Sequence, residues 1–214
     1  LSAMVFYLLS FGLQGLFWIF LWPAITLTFV TLGYLGAGAS IFQKNVQGEI
    51  PLSAQIILLP YRFFAWCTYR YYLTRCQTPS LVTEGILLGG RPLYKLKANA
   101  VFDLTCEWPR NKFSQNQLYL AQPQIDLLPL SPDDISKAML SMEQLSQVGT
   151  VYIHCKLGYS RSATVVVAWL VYSGTVDTLE EAIKQVYKIR PQVILNPETQ
   201  EALQIWYSNF QRNK

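Results

Sequence analysis

The chain has 214 residues, of which 51% are hydrophobic and 14% charged, a mean hydropathy of +0.21 and a formal net charge of +4. That is enough for one ordinary domain plus an appendage, and more apolar than a purely soluble chain needs. Four cysteines (Cys67, Cys76, Cys106, Cys155) without a CxxC pair, and a single histidine, His154, exclude a disulfide framework and a zinc site; no basic face marks a nucleic-acid partner.

The apolar excess is concentrated at the N-terminus. Residues 1–43 contain no Asp, Glu, Lys, Arg or His. A bilayer core of about 30 Å needs roughly 20 apolar helical residues, so a run of this length predicts two transmembrane helices in hairpin order. Proline lacks an amide donor, so Trp22-Pro23 is the predicted break, giving spans at 3–21 and 24–42. No basic n-region or clear cleavage site marks the run as a signal peptide.

Residues 44–76 form a juxtamembrane segment. Lys44, Arg62, Arg70 and Arg75 against Glu49 place most of the net positive charge here, which predicts an integral membrane protein with this side facing the cytoplasm and the anionic lipid surface. Between Pro51 and Thr74, aromatic residues interleave with arginine, the composition of an interfacial helix or of a third span kinked at Pro60.

Residues 77–214 read as a globular α/β domain. Short apolar runs at Gly85–Leu88, Ala100–Leu104, Gln124–Leu128 and Val151–His154 predict strands. Helices are predicted over Asp133–Gln147, capped by Asp133 or Asp134, over Leu179–Ile189 behind the capping box Thr178–Glu181, and after the cap pair Asn196-Pro197. Strands alternating with helices predict a central, mostly parallel sheet flanked by helices.

The segment Val151–Ser162 carries the chemistry. It reads strand, short loop, apolar helix, with Cys155 at the strand end and Arg161 at the helix start. A loop so placed aims consecutive backbone N–H groups inward at a helix N-terminus, which makes a concave anion site of Lys156, Leu157, Gly158, Tyr159 and Ser160. The same amides stabilise a thiolate nucleophile at Cys155. Arg161 can clamp two oxygens of a phosphate with its planar fork, and Ser162 can donate its hydroxyl to the departing thiolate. His154 is placed to orient the loop.

His154-Cys155, five residues, then Arg161-Ser162 resemble the signature of the protein tyrosine phosphatase superfamily, and the surroundings resemble its dual-specificity branch. The likeness runs from about residue 82 to 207 and includes Gly85–Gly90, Arg190-Pro191 and Asn196-Pro197. It implies a single α/β domain, a phosphocysteine intermediate, neither metal nor cofactor, and an aspartate general acid upstream of the loop. Asp126 occupies that place, with Asp133 and Asp134 as alternatives. Cys106 is either a buried strand-end cysteine or a redox partner of Cys155.

The resemblance implies a phosphorylated protein or a phospholipid headgroup as substrate. Lys156 after the nucleophile resembles lipid-directed members, and an anchor would hold the site near a bilayer; Tyr159 could instead cover an aromatic ester. A catalytically silent phosphate-binding membrane adaptor is the alternative from another class. Such proteins usually lack the nucleophile, arginine or acid.

Overall fold

The computed structural model describes residues 2–12, 17–73 and 79–212. Its C-terminal part is built on β1 (Ser80–Thr83), β2 (Ile86–Gly89), β3 (Ala100–Thr105), β4 (Leu118–Gln124) and β5 (Val151–His154). The spatial order is β1-β2-β5-β3-β4, with β1 antiparallel to β2 and every other pairing parallel. The sheet is therefore mixed, parallel but for the edge strand β1, which the sequence did not announce.

Central strands buried on both faces read as continuous apolar runs, and β3 and β5 are buried at every position. Helices α5 (Pro132–Ser146), α6 (Arg161–Tyr172), α7 (Leu179–Ile189) and α8 (Pro197–Arg212) flank the sheet. One core joins Phe102 and Ile153 of the sheet to Met139, Val166, Leu203 and Trp206 of the helices. Thr178 caps α7 and Asn196 caps α8, each accepting a backbone N–H three residues on.

Two expectations for this part shift. The strand predicted over Gln124–Leu128 lies earlier, at Leu118–Gln124, because Pro123 is tolerated in the edge strand β4, and the chain turns at Leu127 with φ +66°. The cap of α5 is Ser131, whose hydroxyl accepts from the Asp134 amide; Asp133 and Asp134 lie inside the first turn.

The N-terminal part comprises α1 (Ser2–Gly12) and α2 (Phe17–Leu32), which meet through Phe6 against Phe20 and Tyr7 against Thr28. A π-helical turn at Gly33–Ala37 and a 3-10 turn at Gly38–Phe42 prolong α2. Among the described residues, Ile19–Phe42 is the one helical stretch long and apolar enough to cross a membrane, with 24 residues and a mean hydropathy of 1.6. The predicted break at Trp22-Pro23 does not occur: Pro23 lies inside α2. Its missing amide is tolerated because tertiary bonds brace the helix there, Trp22 Nε1 donating to the Ile56 carbonyl and Thr26 Oγ1 to that of Ile57. The link between α1 and α2, residues 13–16, lies outside the described residues.

Helices α3 (Leu52–Ile57) and α4 (Leu59–Leu73) follow. Ala54, Leu58, Ala65 and Tyr69 are buried, spaced for one helical face, while Leu52, Ile56, Phe63, Phe64 and Trp66 are exposed. Arg75 and Cys76 of the juxtamembrane segment lie outside the described residues. Lys44 departs from its expected place at the lipid surface: it is buried, its ammonium 2.8 Å from Asp103 Oδ2 and from the Thr105 carbonyl. A carboxylate buried at the end of β3 needs a cation, and the chain leaving the apolar segment supplies it.

Candidate active site

Parallel strands β3, β4 and β5 end on one edge of the sheet, and the loops leaving them converge there. The loop 155–160 runs from β5 to the first residue of α6, Arg161. Its carbonyls are taken up on the outside, one after another. Lys156 O accepts from the Arg91 amide at 3.1 Å, Leu157 O from Arg190 Nη2 at 3.0 Å, Gly158 O from Arg190 Nε at 2.9 Å, and Tyr159 O from the Ile194 amide at 2.8 Å. In a trans peptide the N–H points opposite to the carbonyl, so these bonds turn the amides of residues 157–160 to the other side, the inside of the loop.

Gly158 is the one residue type that fits its position. It adopts φ +76°, and a Cβ there would overlap the Gly89 carbonyl carbon. Arg190, quoted from the sequence only as part of a motif, proves to be the brace of the loop. It is fully buried and also reaches Ser80 Oγ at 3.2 Å.

Cys155 lies buried beneath this loop, and Ser162 Oγ donates to its Sγ at 3.2 Å. His154 precedes it, with Nδ1–H donating to the Cys155 carbonyl at 3.3 Å and Asp103 Oδ1 3.7 Å away. Burial pushes the imidazole below its ordinary range against the pull of the Asp103 charge, so the ring is neutral and its proton holds the backbone. For Asp103 burial acts upward, but the Lys44 ammonium at 2.8 Å overcomes it, and the carboxyl is held well below the usual carboxylate range.

Arg161 is 1% exposed. Burial acts to lower its pKa, yet Glu107 and then Asp126 outweigh it and hold the guanidinium firmly charged. Glu107 Oε1 lies 3.1 Å from Nη2, and Nη1 donates to the Gln124 carbonyl at 2.7 Å. Asp126 Oδ1 lies 2.9 Å from Nη2. Nε is buried without a hydrogen-bond partner, so the Nε–Nη2 edge keeps one donor free and a second on a carboxylate that can swing away. Glu107 is fully buried and was not singled out from the sequence. Its signal, an acid directly after a strand-end cysteine, acquires meaning only with Arg161 beside it.

Asp126 also lies 3.6 Å from Lys156 Nζ. That ammonium donates to Thr68 Oγ1 of α4 at 2.9 Å and stands over the Trp108 ring. A cavity of about 340 Å³ is lined by Asp126, Cys155, Lys156, Arg161 and residues 157, 159 and 160, with an apolar rim of Tyr72, Leu127, Leu128 and Ile194. The structure thus gathers Cys155, Arg161, Ser162, His154, Asp126 and the loop residues at one site. Asp133 and Asp134 sit in the first turn of α5 and do not line the cavity.

Cys106 is buried against Val30, Phe42, Leu58 and Ile125, is a free thiol, and has its pKa raised by burial and then by Glu107, as for a core cysteine. Among the described residues no cluster of three His, Cys, Asp or Glu side chains is arranged to hold a metal ion.

The catalytic-domain model of dual specificity phosphatases matches residues 90–209. A phosphatidylglycerophosphate phosphatase of Arabidopsis thaliana is 30% identical over 138 residues, 58% of this chain and 60% of that protein. Human phosphatidylglycerophosphatase and protein-tyrosine phosphatase 1 is 34% identical over 107 residues, 49% of this chain and 50% of the human one. The chain thus spans half to three fifths of these relatives' lengths. Among solved structures, human DUSP28 superposes with a TM-score of 0.57 at 20% identity, covering 64% of this chain and all of that one. PTPMT1 superposes with a TM-score of 0.53 at 22% identity, covering 64% and 98%. These likenesses show the α/β fold.

Proposed function

Because the chain belongs to the dual-specificity phosphatase family, we propose that it is a membrane-anchored phosphomonoester hydrolase working through a cysteine-phosphate intermediate. The observation that carries this reading is the inside-out loop: four successive carbonyls held outward, so that their peptides' amides face a buried thiol and a buried guanidinium.

A phosphate dianion seated in the loop takes the Nε–Nη2 edge of Arg161 and displaces Asp126 from it. The displaced carboxyl stands at the leaving oxygen, where it serves as the proton donor. The Cys155 thiolate forms the S–P bond as the P–O bond breaks and Asp126 delivers its proton. Arg161 and the loop amides hold the equatorial oxygens, whose charge grows in the transition state. In the second step Asp126 takes a proton from water, the new P–O bond forms as S–P breaks, and Ser162 stabilises the leaving thiolate by its hydrogen bond.

For the substrate we favour a phospholipid headgroup over a phosphoprotein. The curated relatives named above are phosphatidylglycerophosphatases, and the cavity rim is apolar, with Leu127 and Ile194 exposed at its mouth. Lys156, tied to α4, brings a cation to the same opening. With the apolar helix Ile19–Phe42 as the anchor and the exposed aromatics of α4 beside it, the site is held close to the membrane, on the cytoplasmic side by the charge rule. The protein-tyrosine phosphatase part of the human relative's name keeps a phosphotyrosine substrate as the second reading, in which Tyr159 covers the ring.

The test uses the full chain in liposomes without added metal, offered phosphatidylglycerol phosphate, phosphoinositides or phosphotyrosine peptides. Phosphate release from a lipid well above that from the peptides supports this reading; the reverse preference replaces it. Cys155→Ser is expected to lower turnover by at least about 10³-fold while still binding substrate. Equal behaviour of wild type and variant would leave the silent adaptor as the function.

A further inference from the structure

The π-helical turn that ends the apolar helix touches the acid loop. Tyr34, within Gly33–Ala37, donates its hydroxyl to the backbone carbonyl of Asp126 at 3.0 Å across 92 residues of sequence. Its neighbour Gly33 lies so close to Ile125 that a Cβ there would come within 3.1 Å of Ile125 Cδ1. Ile125 packs with Val30 and Phe42 of the same apolar stretch. Two successive residues of the acid loop, 125 and 126, thus rest on two successive residues of the membrane segment, 33 and 34. Wide turns of this kind inside a helix are rare and frequently lie at functional sites; here Gly36, at φ +130°, breaks the helical path.

The carbonyl that Tyr34 holds belongs to the peptide joining Asp126 to Leu127, and Leu127 is the residue at φ +66°. The bond therefore fixes the peptide plane from which a non-glycine residue enters the left-handed region, a conformation that persists only when surroundings impose it. The Asp126 carboxyl itself reaches Arg161 Nη2 and approaches Lys156 Nζ.

We propose that Tyr34 is a positioning residue for proton delivery: from the membrane segment it holds the Asp126–Leu127 peptide, and with it the carboxyl, over the Cys155–Arg161 loop. The inference rests on Asp126 as the general acid. It makes the apolar segment a working part of the active site as well as an anchor. Binding of phosphate by the loop amides does not depend on it, because the donors to the four loop carbonyls come from elsewhere.

The experiment measures kcat/KM, which reports the step that forms the phosphocysteine, for the full chain in detergent on two esters, a nitrophenyl phosphate, whose leaving group needs little protonation, and a simple alkyl phosphate, whose leaving group needs a full proton. Asp126→Asn is expected to lose about 10²-fold or more on the alkyl ester and far less on the aryl one. Tyr34→Phe, which keeps the ring and removes the hydroxyl, is expected to lose about fivefold on the alkyl ester and nothing on the aryl ester, the worth of one solvent-facing hydrogen bond. In the double variant the Tyr34 loss disappears into that of Asp126. A loss shared equally by both esters, no loss on either, or full multiplication in the double variant overturns the assignment to Tyr34 alone. Asp126→Asn losing no more on the alkyl ester than on the aryl one overturns the general acid, and this inference with it.

Discussion

The loop that would hold phosphate and the loop that would deliver the proton are built to opposite standards. Residues 155–160 are locked by one buried arginine, Arg190, two backbone amides and a glycine that no other residue can replace. Residues 125–128 hang on one solvent-facing tyrosine hydroxyl, the packing of Ile125, and a carboxylate that can let go, with Leu127 in a strained conformation and 82% exposed. The contrast separates two tasks. An anion cradle gains from being fixed before the ligand arrives, whereas an acid has to exchange one partner, Arg161, for another, the leaving oxygen.

The sharpest way to break the contrast is to loosen the rigid half. Glu107→Gln keeps the shape of the side chain but leaves Arg161 buried with half its counter-charge. Removing one partner of a buried pair is expected to destabilise the fold by about 3–5 kcal/mol, read as a lowered midpoint of chemical unfolding. Phosphate and vanadate should also bind more weakly, since Arg161 loses the carboxylate that aims it. A variant as stable as wild type would show that the carbonyls of Leu104 and Gln124 alone suffice to hold the guanidinium.

A smaller effect comes from the layer beneath the cradle. Asp103 has a lower pKa folded than unfolded, so its contribution is complete above the unfolded value of about 4 and is lost as pH falls below it. His154 is also lowered by burial, which places an earlier and separate decline below about pH 6.5. Acid unfolding should therefore proceed in two stages, the lower worth of the order of 2 kcal/mol. Asp103→Asn should remove the lower stage and reduce stability at neutral pH; a two-stage profile surviving in the variant would locate it elsewhere.

The same division decides what could be read from the chain. Strand β5 and helix α7 coincide with their predicted limits, and α6 starts at Arg161, because each is fixed by local signals: an apolar run, a glycine-bearing turn, a capping threonine. Glu107, Arg190 and Lys44 acquire their roles only through partners 54, 32 and 59 residues away, and no periodicity reports those distances. Pro23 misled for a related reason. Its local penalty is real, but Trp22 and Thr26 hold the helix through residues more than 30 positions on. Strand β4 was misplaced because Pro123 argues against a strand until the strand is known to lie at an edge.

The mildest change tests whether the acid loop is as lightly held as it looks. Leu127→Gly removes the penalty of placing an L-residue in the left-handed region, about 1–2 kcal/mol. It also gives the unfolded chain more freedom, which takes back about 0.4–1 kcal/mol. The lost side chain contributes little because it is almost wholly exposed. The two terms nearly offset, so unfolding should shift by about 1 kcal/mol or less, toward greater stability. Function should move further than stability: glycine no longer confines the peptide that Tyr34 holds, and the alkyl-ester rate should fall while the aryl-ester rate stays. Leu127 also stands at the cavity mouth, so binding to liposomes offers a second readout in the same variant. A large loss of stability would mean that Leu127 is packed against something in the folded protein, and that the acid loop belongs with the rigid half.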